Sequence, residues 1–301
     1  MKRLKKFFLK KMPFIGNLHQ QIDKQGRYPA GHYCSPIPDR DEILIYVKSK
    51  KKQGLELPDV KLNKESQFKI LNEYIQFYEE LPFPEQQKPE YRYYYDNGMY
   101  AYSDAIFLYC FLRKHKPKRI IEVGSGFSSA AILDTVDGFF SYRPEITFIE
   151  PYPDRVIGLL RSEDKDHVRI IDRKIQEVPS EILLALEAGD FLFIDSSHVV
   201  KCGSDLQLLI FEILPLLPSG VFIHFHDVFY PFEYPAEWLM KGRYWNENYF
   251  LRAFLSYNRE WSIYFFNDYV AFAFSDFIKD NMPLCTKNTG GSLYIQKEKK
   301  G

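Results

Sequence analysis

Residues 119–129, RIIEVGSGFSS, constrain the fold of this chain more than any other stretch. Ile120, Ile121 and Val123 form a short apolar run suited to a strand buried on both faces. Gly124 and Gly126 follow, where a chain turns tightly or lets a ligand approach its backbone. Ser128 and Ser129 can then cap a helix that opens near Ala130. A buried strand, a glycine turn and a helix start, in that order, specify an α/β sheet with a nucleotide-type site at the helix N-terminus.

Two residues narrow the ligand. Ser129 stands where the pattern G-x-G-x-x-G puts its third glycine, so the nicotinamide signature is incomplete. Glu122, two residues before the first glycine, would repel a pyrophosphate and attract an ammonium or a sulfonium. S-adenosylmethionine (SAM) carries both. The plainer reading, a structural strand-to-helix turn with a solvated Glu122, stays open at this point.

Downstream the chain alternates short apolar runs with helical spacing, the pattern of a parallel sheet covered on both faces. The runs predict strands over 146–150, 168–171, 191–195 and 221–226, with helices over 128–136, 155–160, 179–188 and 203–214. A long helical stretch over 235–257 precedes two more strands, 262–266 and 293–296, expected as an antiparallel hairpin at the sheet edge, with Gly290 and Gly291 as its turn signal. The fold class is therefore α/β: a doubly wound, mostly parallel seven-stranded, Rossmann-like sheet.

Upstream the pattern differs. Residues 1–100 read as an N-terminal aromatic cap or lid segment and residues 101–301 as the catalytic domain, with the boundary near residue 100. A helix is predicted over 66–81. The tyrosine-dense stretch YRYYYDNGMYAY at 91–102 suits core packing or a lid over the site equally. The first eighteen residues mix Lys2, Arg3, Lys5, Lys6, Lys10 and Lys11 with Phe7, Phe8, Leu9 and Phe14. Such a basic amphipathic start suits weak contact with an anionic membrane surface. A solvated tail stopped by Pro13 is the favoured reading.

The formal net charge is +0, so nothing global points to nucleic acid. Cys34, Cys110, Cys202 and Cys285 show no C-x-x-C pair, and reduced thiols are expected. No run is long and apolar enough to span a bilayer and no secretory core is visible, which predicts a cytoplasmic protein. Its partner is expected to be a small-molecule acceptor, and a homo-oligomer is compatible with the sequence.

In an open α/β sheet, ligands bind at the carboxyl ends of the strands. Glu150 ends the second strand, where a carboxylate can accept from both hydroxyls of a ribose; a helix-capping Glu is the alternative. Asp195 and His198, within IDSSH, end the fourth strand, and His226 and Asp227 end the fifth. Asp195 and Asp227 could share one hard cation, with His226 adding a nitrogen. Capping acids and hydrogen-bonded structural histidines are the alternatives.

The order E-x-G-x-G, a second-strand acid, I-D-S-S-H and H-D resembles class I SAM-dependent methyltransferases. It most resembles the branch with an I-D-x-S-H motif, which includes metal-dependent macrolide-sugar and catechol-type O-methyltransferases. The resemblance covers roughly residues 100 to 300. It implies that Glu122, Gly124, Ser125, Gly126 and Ser128 border the cofactor, Glu150 its ribose, and Gln176 its adenine edge. It further implies Asp195 as a catalytic metal ligand and His198 as the general base, an imidazole with a pKa near 6.5. Asp195, His226 and Asp227 would hold Mg²⁺ or another divalent cation. The sugar-modifying relatives carry two acids at the fifth strand, where this chain has His226 and Asp227. The implied activity is methyl transfer from SAM to a hydroxyl of a small molecule, a sugar or glycosylated metabolite. The alternatives are a nicotinamide-dependent oxidoreductase and a non-catalytic SAM-fold module in a larger assembly.

Overall fold

The computed structural model describes residues 26–49 and 56–298, so the basic amphipathic start lies outside the described residues. The chain divides into two compact units, Met1–Gly54 with Pro235–Tyr244, and Leu55–Tyr234 with Trp245–Gly301. In the smaller unit the helices Arg40–Ser49 and Ala236–Met240 meet. Asp39 caps the first of these, its Oδ1 accepting from the backbone N–H groups of Asp41 and Glu42 at 2.8 and 3.2 Å.

The larger unit carries the sheet. Its strands are β1 (Arg119–Val123), β2 (Glu145–Ile149), β3 (Val168–Ile171), β4 (Phe191–Ile194), β5 (Phe222–His226), β6 (Trp261–Phe266) and β7 (Ser292–Lys297). They lie in the order β3-β2-β1-β4-β5-β7-β6. The first five are parallel, and β7 runs antiparallel to both its neighbours. This is the α/β, mostly parallel seven-stranded sheet expected from the sequence. Every residue of β4 and β5 is buried, as the apolar runs require. Each large apolar side chain so placed contributes about 1.5–3 kcal/mol.

The helices are α1 (Lys64–Tyr78), α2 (Ser103–His115), α3 (Phe127–Phe139), α4 (Asp154–Leu159), α5 (Glu181–Leu184), α6 (Asp205–Leu208), α7 (Glu247–Leu255), α8 (Asn267–Ala273) and α9 (Ser275–Asn281). Three differ from expectation for local reasons. The helix expected over 203–214 passes after α6 into a π-helical turn and then a 3-10 turn at Leu214–Leu216, where Pro215 has no N–H to donate. The helix expected over 179–188 shortens to α5. The long helix expected over 235–257 breaks at Gly242, whose φ of +84° no helix permits.

The last two strands do not form a simple hairpin. β7 inserts between β5 and β6, and α8 and α9 lie between β6 and β7 in the chain. Burial explains the choice: Leu293, Tyr294 and Ile295 are at most 1% exposed and need cover on both faces, whereas β6 alternates buried and half-buried residues at its start. The edge strand β6 is blunted by α1 and its flank. Asn63 Nδ2 donates to the Ile263 carbonyl at 3.1 Å, and the Phe266 N–H donates to Gln67 Oε1 at 2.8 Å.

Those contacts also move the domain boundary. Leu57, Val60, Ile70, Leu71, Tyr74, Tyr93, Tyr95 and Tyr100 belong to the same hydrophobic core as the sheet, so the compact division falls near residue 55 rather than near residue 100. Within the tyrosine-dense stretch, Tyr93, Tyr95 and Tyr100 are core residues, and the Tyr93 hydroxyl donates to the Tyr100 carbonyl at 2.7 Å. The neighbouring Arg92 is buried in an acidic cage. Its guanidinium meets Asp134 at 2.7 Å, Asp137 at 2.8 Å and Asp164 at 2.5 Å, which pins residues 92–93 to α3 and to the turn Ser162–Asp166. Among the described residues no helix is long and apolar enough to cross a membrane.

Candidate active site

The site begins where β1 ends. Gly124 has φ of +83°, and a Cβ built there would lie 1.7 Å from the Asp195 carbonyl oxygen. Only glycine fits, for both reasons. The Asp195 N–H also donates to the Val123 carbonyl at 2.8 Å. The carboxyl ends of β1 and β4 thus touch backbone to backbone. The order of strands reverses between these two, which is where an open α/β sheet leaves its ligand crevice.

Beneath the turn, Glu122 is fully buried and accepts from the hydroxyls of Ser128 and Ser129 at 2.5 Å each. Ser129 Oγ in turn accepts from the Gly126 N–H at 3.0 Å. Burial pushes the Glu122 carboxyl up to about 8, against the opposing hydrogen bonds from the two serines. Sequence reasoning gave Glu122 direct contact with a cationic ligand. The structure makes it the support of the glycine turn, with no exposed surface.

Glu150, half-buried at the end of β2, ties the same turn from the side. Its Oε2 accepts from the Ser125 N–H at 3.1 Å and its Oε1 from the Tyr152 N–H at 2.9 Å. The Ser125 hydroxyl is buried and has no hydrogen-bond partner among the described residues. Gln176 stands in a 3-10 turn, Ile175–Glu177, after β3 and donates from Nε2 to the Gly203 carbonyl at 3.0 Å. Glu122, Gly124, Ser125, Gly126, Ser128 and Glu150 therefore converge, while Gln176 joins the loops that follow β3 and β4.

Across the crevice the ends of β4 and β5 bring four polar residues together. His198 Nε2 lies 3.4 Å from Asp195 Oδ1 and 3.5 Å from Asp227 Oδ2. Ligand atoms of Asp195, His198 and Asp227 all fall within 4.8 Å of one another, a spacing that suits one metal ion. His226 Nδ1 is 3.4 Å from Asp195 Oδ1 and 3.7 Å from Asp227 Oδ1 without a hydrogen bond, and its Nε2 is 3.9 Å from Asp104 Oδ2. The expected trio was Asp195, His226 and Asp227; His198 joins the same two carboxylates, and His226 lies buried beside them at similar distances, its ring 5.1 Å from that of Tyr100.

The loop carrying His198 is held in a strained shape. His198 has φ of +58° and Asp227 φ of +59°, a region that costs a non-glycine residue about 1–3 kcal/mol. Asp205 of α6 accepts from the Ser197 N–H at 2.9 Å and hydroxyl at 2.5 Å. Asn246 exchanges two hydrogen bonds with the Val200 backbone at 2.7 and 3.1 Å. The His198 carbonyl accepts from the N–H groups of Asn246 and Glu247 at 3.2 and 3.3 Å, at the start of α7. The imidazole lies tilted against Trp245, ring centres 4.3 Å apart, and its Nδ1 meets Glu247 Oε2 at 2.8 Å.

These contacts set the charges. Burial favours a neutral His198 ring, but hydrogen bonding to Asp195 and Glu247 outweighs it and holds the pKa up at about 10. Burial opposes ionisation of Asp195, yet the two imidazoles hold its carboxyl well below the usual range. Asp227 and Glu247 are raised by burial. His226 is raised because Asp227 and Asp195 overcome its burial. His198 is thus raised above the pKa near 6.5 expected of it.

Sequence reasoning missed Glu247, Trp245, Asp205 and Asp104. Asp104, Asp205 and Glu247 look locally like ordinary acids in a first helical turn, and nothing in their spacing links them to the site.

A family model described as a methyltransferase domain matches residues 121–228, the span from β1 to just past β5. An uncharacterized protein of Archaeoglobus fulgidus is 34% identical over 175 residues, which cover 53% of this chain and 74% of that protein. Among solved structures, this chain is similar to a Podospora anserina methyltransferase bound to S-adenosylhomocysteine, with 18% identity, 87% and 98% of the two chains covered, and a TM-score of 0.35. It is also similar to an O-methyltransferase from Bacillus cereus, with 16% identity, 76% and 91% covered, and a TM-score of 0.36.

Proposed function

We propose that this chain, which belongs to the class I SAM-dependent methyltransferases, transfers the methyl group to a hydroxyl of a small molecule, a sugar or a glycosylated metabolite. The observation that carries the choice of a hydroxyl is the meeting of Asp195, His198 and Asp227 at the crevice beside the glycine turn. Two carboxylates and an imidazole within one ion's reach fit a divalent cation, and the partnerless buried hydroxyl of Ser125 fits a polar cofactor in the turn. When bound, such a cation lowers the pKa of a hydroxyl as a Lewis acid.

The residues of the chain supply the rest. Glu150 and the turn at Gly124–Gly126 hold the cofactor, and Glu122 keeps that turn in shape through Ser128 and Ser129. Because Gly124 lies against the Asp195 carbonyl, the turn and the acidic cluster adjoin, which brings a cofactor in the turn close to an acceptor at the cluster. Asp195 has the most open side chain of the cluster, 32% exposed against 17% for Asp227 and 8% for each imidazole. The acceptor hydroxyl meets Asp195 first, and as its oxygen takes the methyl group and S-adenosylhomocysteine leaves, its proton passes to Asp227, the carboxylate that burial makes the more basic of the two, a step worth about 10²- to 10⁴-fold. His198 serves as a ligand held in place rather than as a free base. Gln176 closes the far end of the crevice near the adenine.

The test is mass spectrometry of the protein incubated with SAM and a panel of hydroxylated and glycosylated acceptors, with and without a chelator. A product heavier by one methyl group, formed only with the cation present, is expected. Full turnover after chelation would remove the cation from the reading, and SAM binding without any product would favour the non-catalytic alternative.

A further inference from the structure

Glu247 is buried at 1% exposure in the first turn of α7, outside the span that the family model matches. A carboxylate so placed gives up its hydration and needs a partner that compensates. Its side chain does not tie its own helix. Among the described residues Oε1 has no hydrogen-bond partner, and Oε2 meets His198 Nδ1 at 2.8 Å. The same helix start receives the His198 carbonyl, and Asn246 clips Val200, so the backbone and the imidazole are fixed from one side. Trp245 covers the ring face at 4.3 Å. With Nδ1 engaged, the ring can present only Nε2 to Asp195 and Asp227, which lie 3.4 and 3.5 Å away.

We infer that Glu247 is a positioning residue, a carboxylate that locks the His198 imidazole with Nε2 toward Asp195 and Asp227 and so sets the affinity of a divalent cation there. This rests on the reading of Asp195, His198 and Asp227 as a cation site. A ring held this way coordinates without first losing rotational freedom, and the carboxylate behind it raises its basicity as a ligand. The side-chain hydrogen bond of Glu247 goes to His198 and not to the glycine turn, so its loss leaves the cofactor's own contacts in place.

The experiment is Mn²⁺ binding to the metal-free full-length protein, followed by electron paramagnetic resonance. Wild type is compared with Glu247→Ala and Glu247→Gln, with SAM affinity and melting temperature measured alongside. Glu247→Ala should bind Mn²⁺ about 10- to 100-fold more weakly while its SAM affinity stays within about twofold. Glu247→Gln keeps an acceptor for Nδ1–H without the charge and should fall between, about 3- to 10-fold weaker. If the alanine variant does not fold, the glutamine variant decides alone. Wild-type Mn²⁺ affinity in the folded variants would overturn the inference and leave the cation site standing. Parallel losses of Mn²⁺ affinity, SAM affinity and melting temperature would reduce Glu247 to a structural group and overturn it equally. Absence of Mn²⁺ binding by wild type would instead sink the cation reading itself, and this inference with it.

Discussion

The buried acid under the glycine turn makes the sharpest prediction. Glu122 is raised from 4.5 to about 8 because its carboxylate is wholly desolvated. Below pH 4.5 the group is protonated in folded and unfolded chains alike and contributes nothing. Between 4.5 and 8 the unfolded chain releases this proton while the folded chain keeps it, so stability falls as pH rises, and the penalty is complete above pH 8. At about 1.36 kcal/mol per pH unit, the loss between pH 5.5 and 8 is roughly 3 kcal/mol. Glu122→Gln has the same shape, stays neutral, and can keep both serines engaged, so it should lack this slope. Urea unfolding of both proteins at pH 5.5 and pH 8 provides the measurement. The difference of differences cancels His198, whose raised pKa also removes stability as pH climbs from about 6.5 to 10. Wild type should lose about 3 kcal/mol more than the variant across that interval. Parallel stabilities would refute the claim that desolvation governs this carboxyl, and would mean that water reaches it.

Further predictions address other parts of the architecture. Gly124→Ala should cost at least about 3 kcal/mol, because its Cβ would strike the Asp195 carbonyl in a left-handed backbone; a variant melting like wild type would refute the close approach of β1 and β4. Arg92→Met leaves Asp134 and Asp164 buried without their cation and should lower the free energy of unfolding by about 3–5 kcal/mol in urea, with little change in SAM affinity once folded. Glu150→Ala should weaken SAM binding by about 1.5–3 kcal/mol in calorimetry, and unchanged affinity would remove Glu150 from the cofactor site. His198→Ala should abolish cation-dependent turnover while SAM affinity stays within about twofold; wild-type turnover would exclude it from the cluster.

Much of this molecule was legible in one dimension. β4 is buried on both faces and reads as an unbroken apolar run, and β1 and β5 show the same burial with Glu122, His224 and His226 set among apolar neighbours. Gly124 needs a positive φ, and glycine announces that need in the sequence. The polar residues at strand ends were visible too, since Glu150, Asp195, His226 and Asp227 each interrupt or follow an apolar run. The relations between residues were not visible. His198 looked like a free base because Glu247, which joins the neighbouring Asp195 in raising its pKa, lies 49 positions away. Asp104, which backs His226, comes from α2 and is anchored by the hydroxyl of Ser292, 188 positions further on. The insertion of β7 between β5 and β6 likewise followed from which strand needed cover on both faces. Local periodicity reports how much of a segment is buried, but a side chain's charge and partner depend on which distant segment buries it, and only the folded chain decides that.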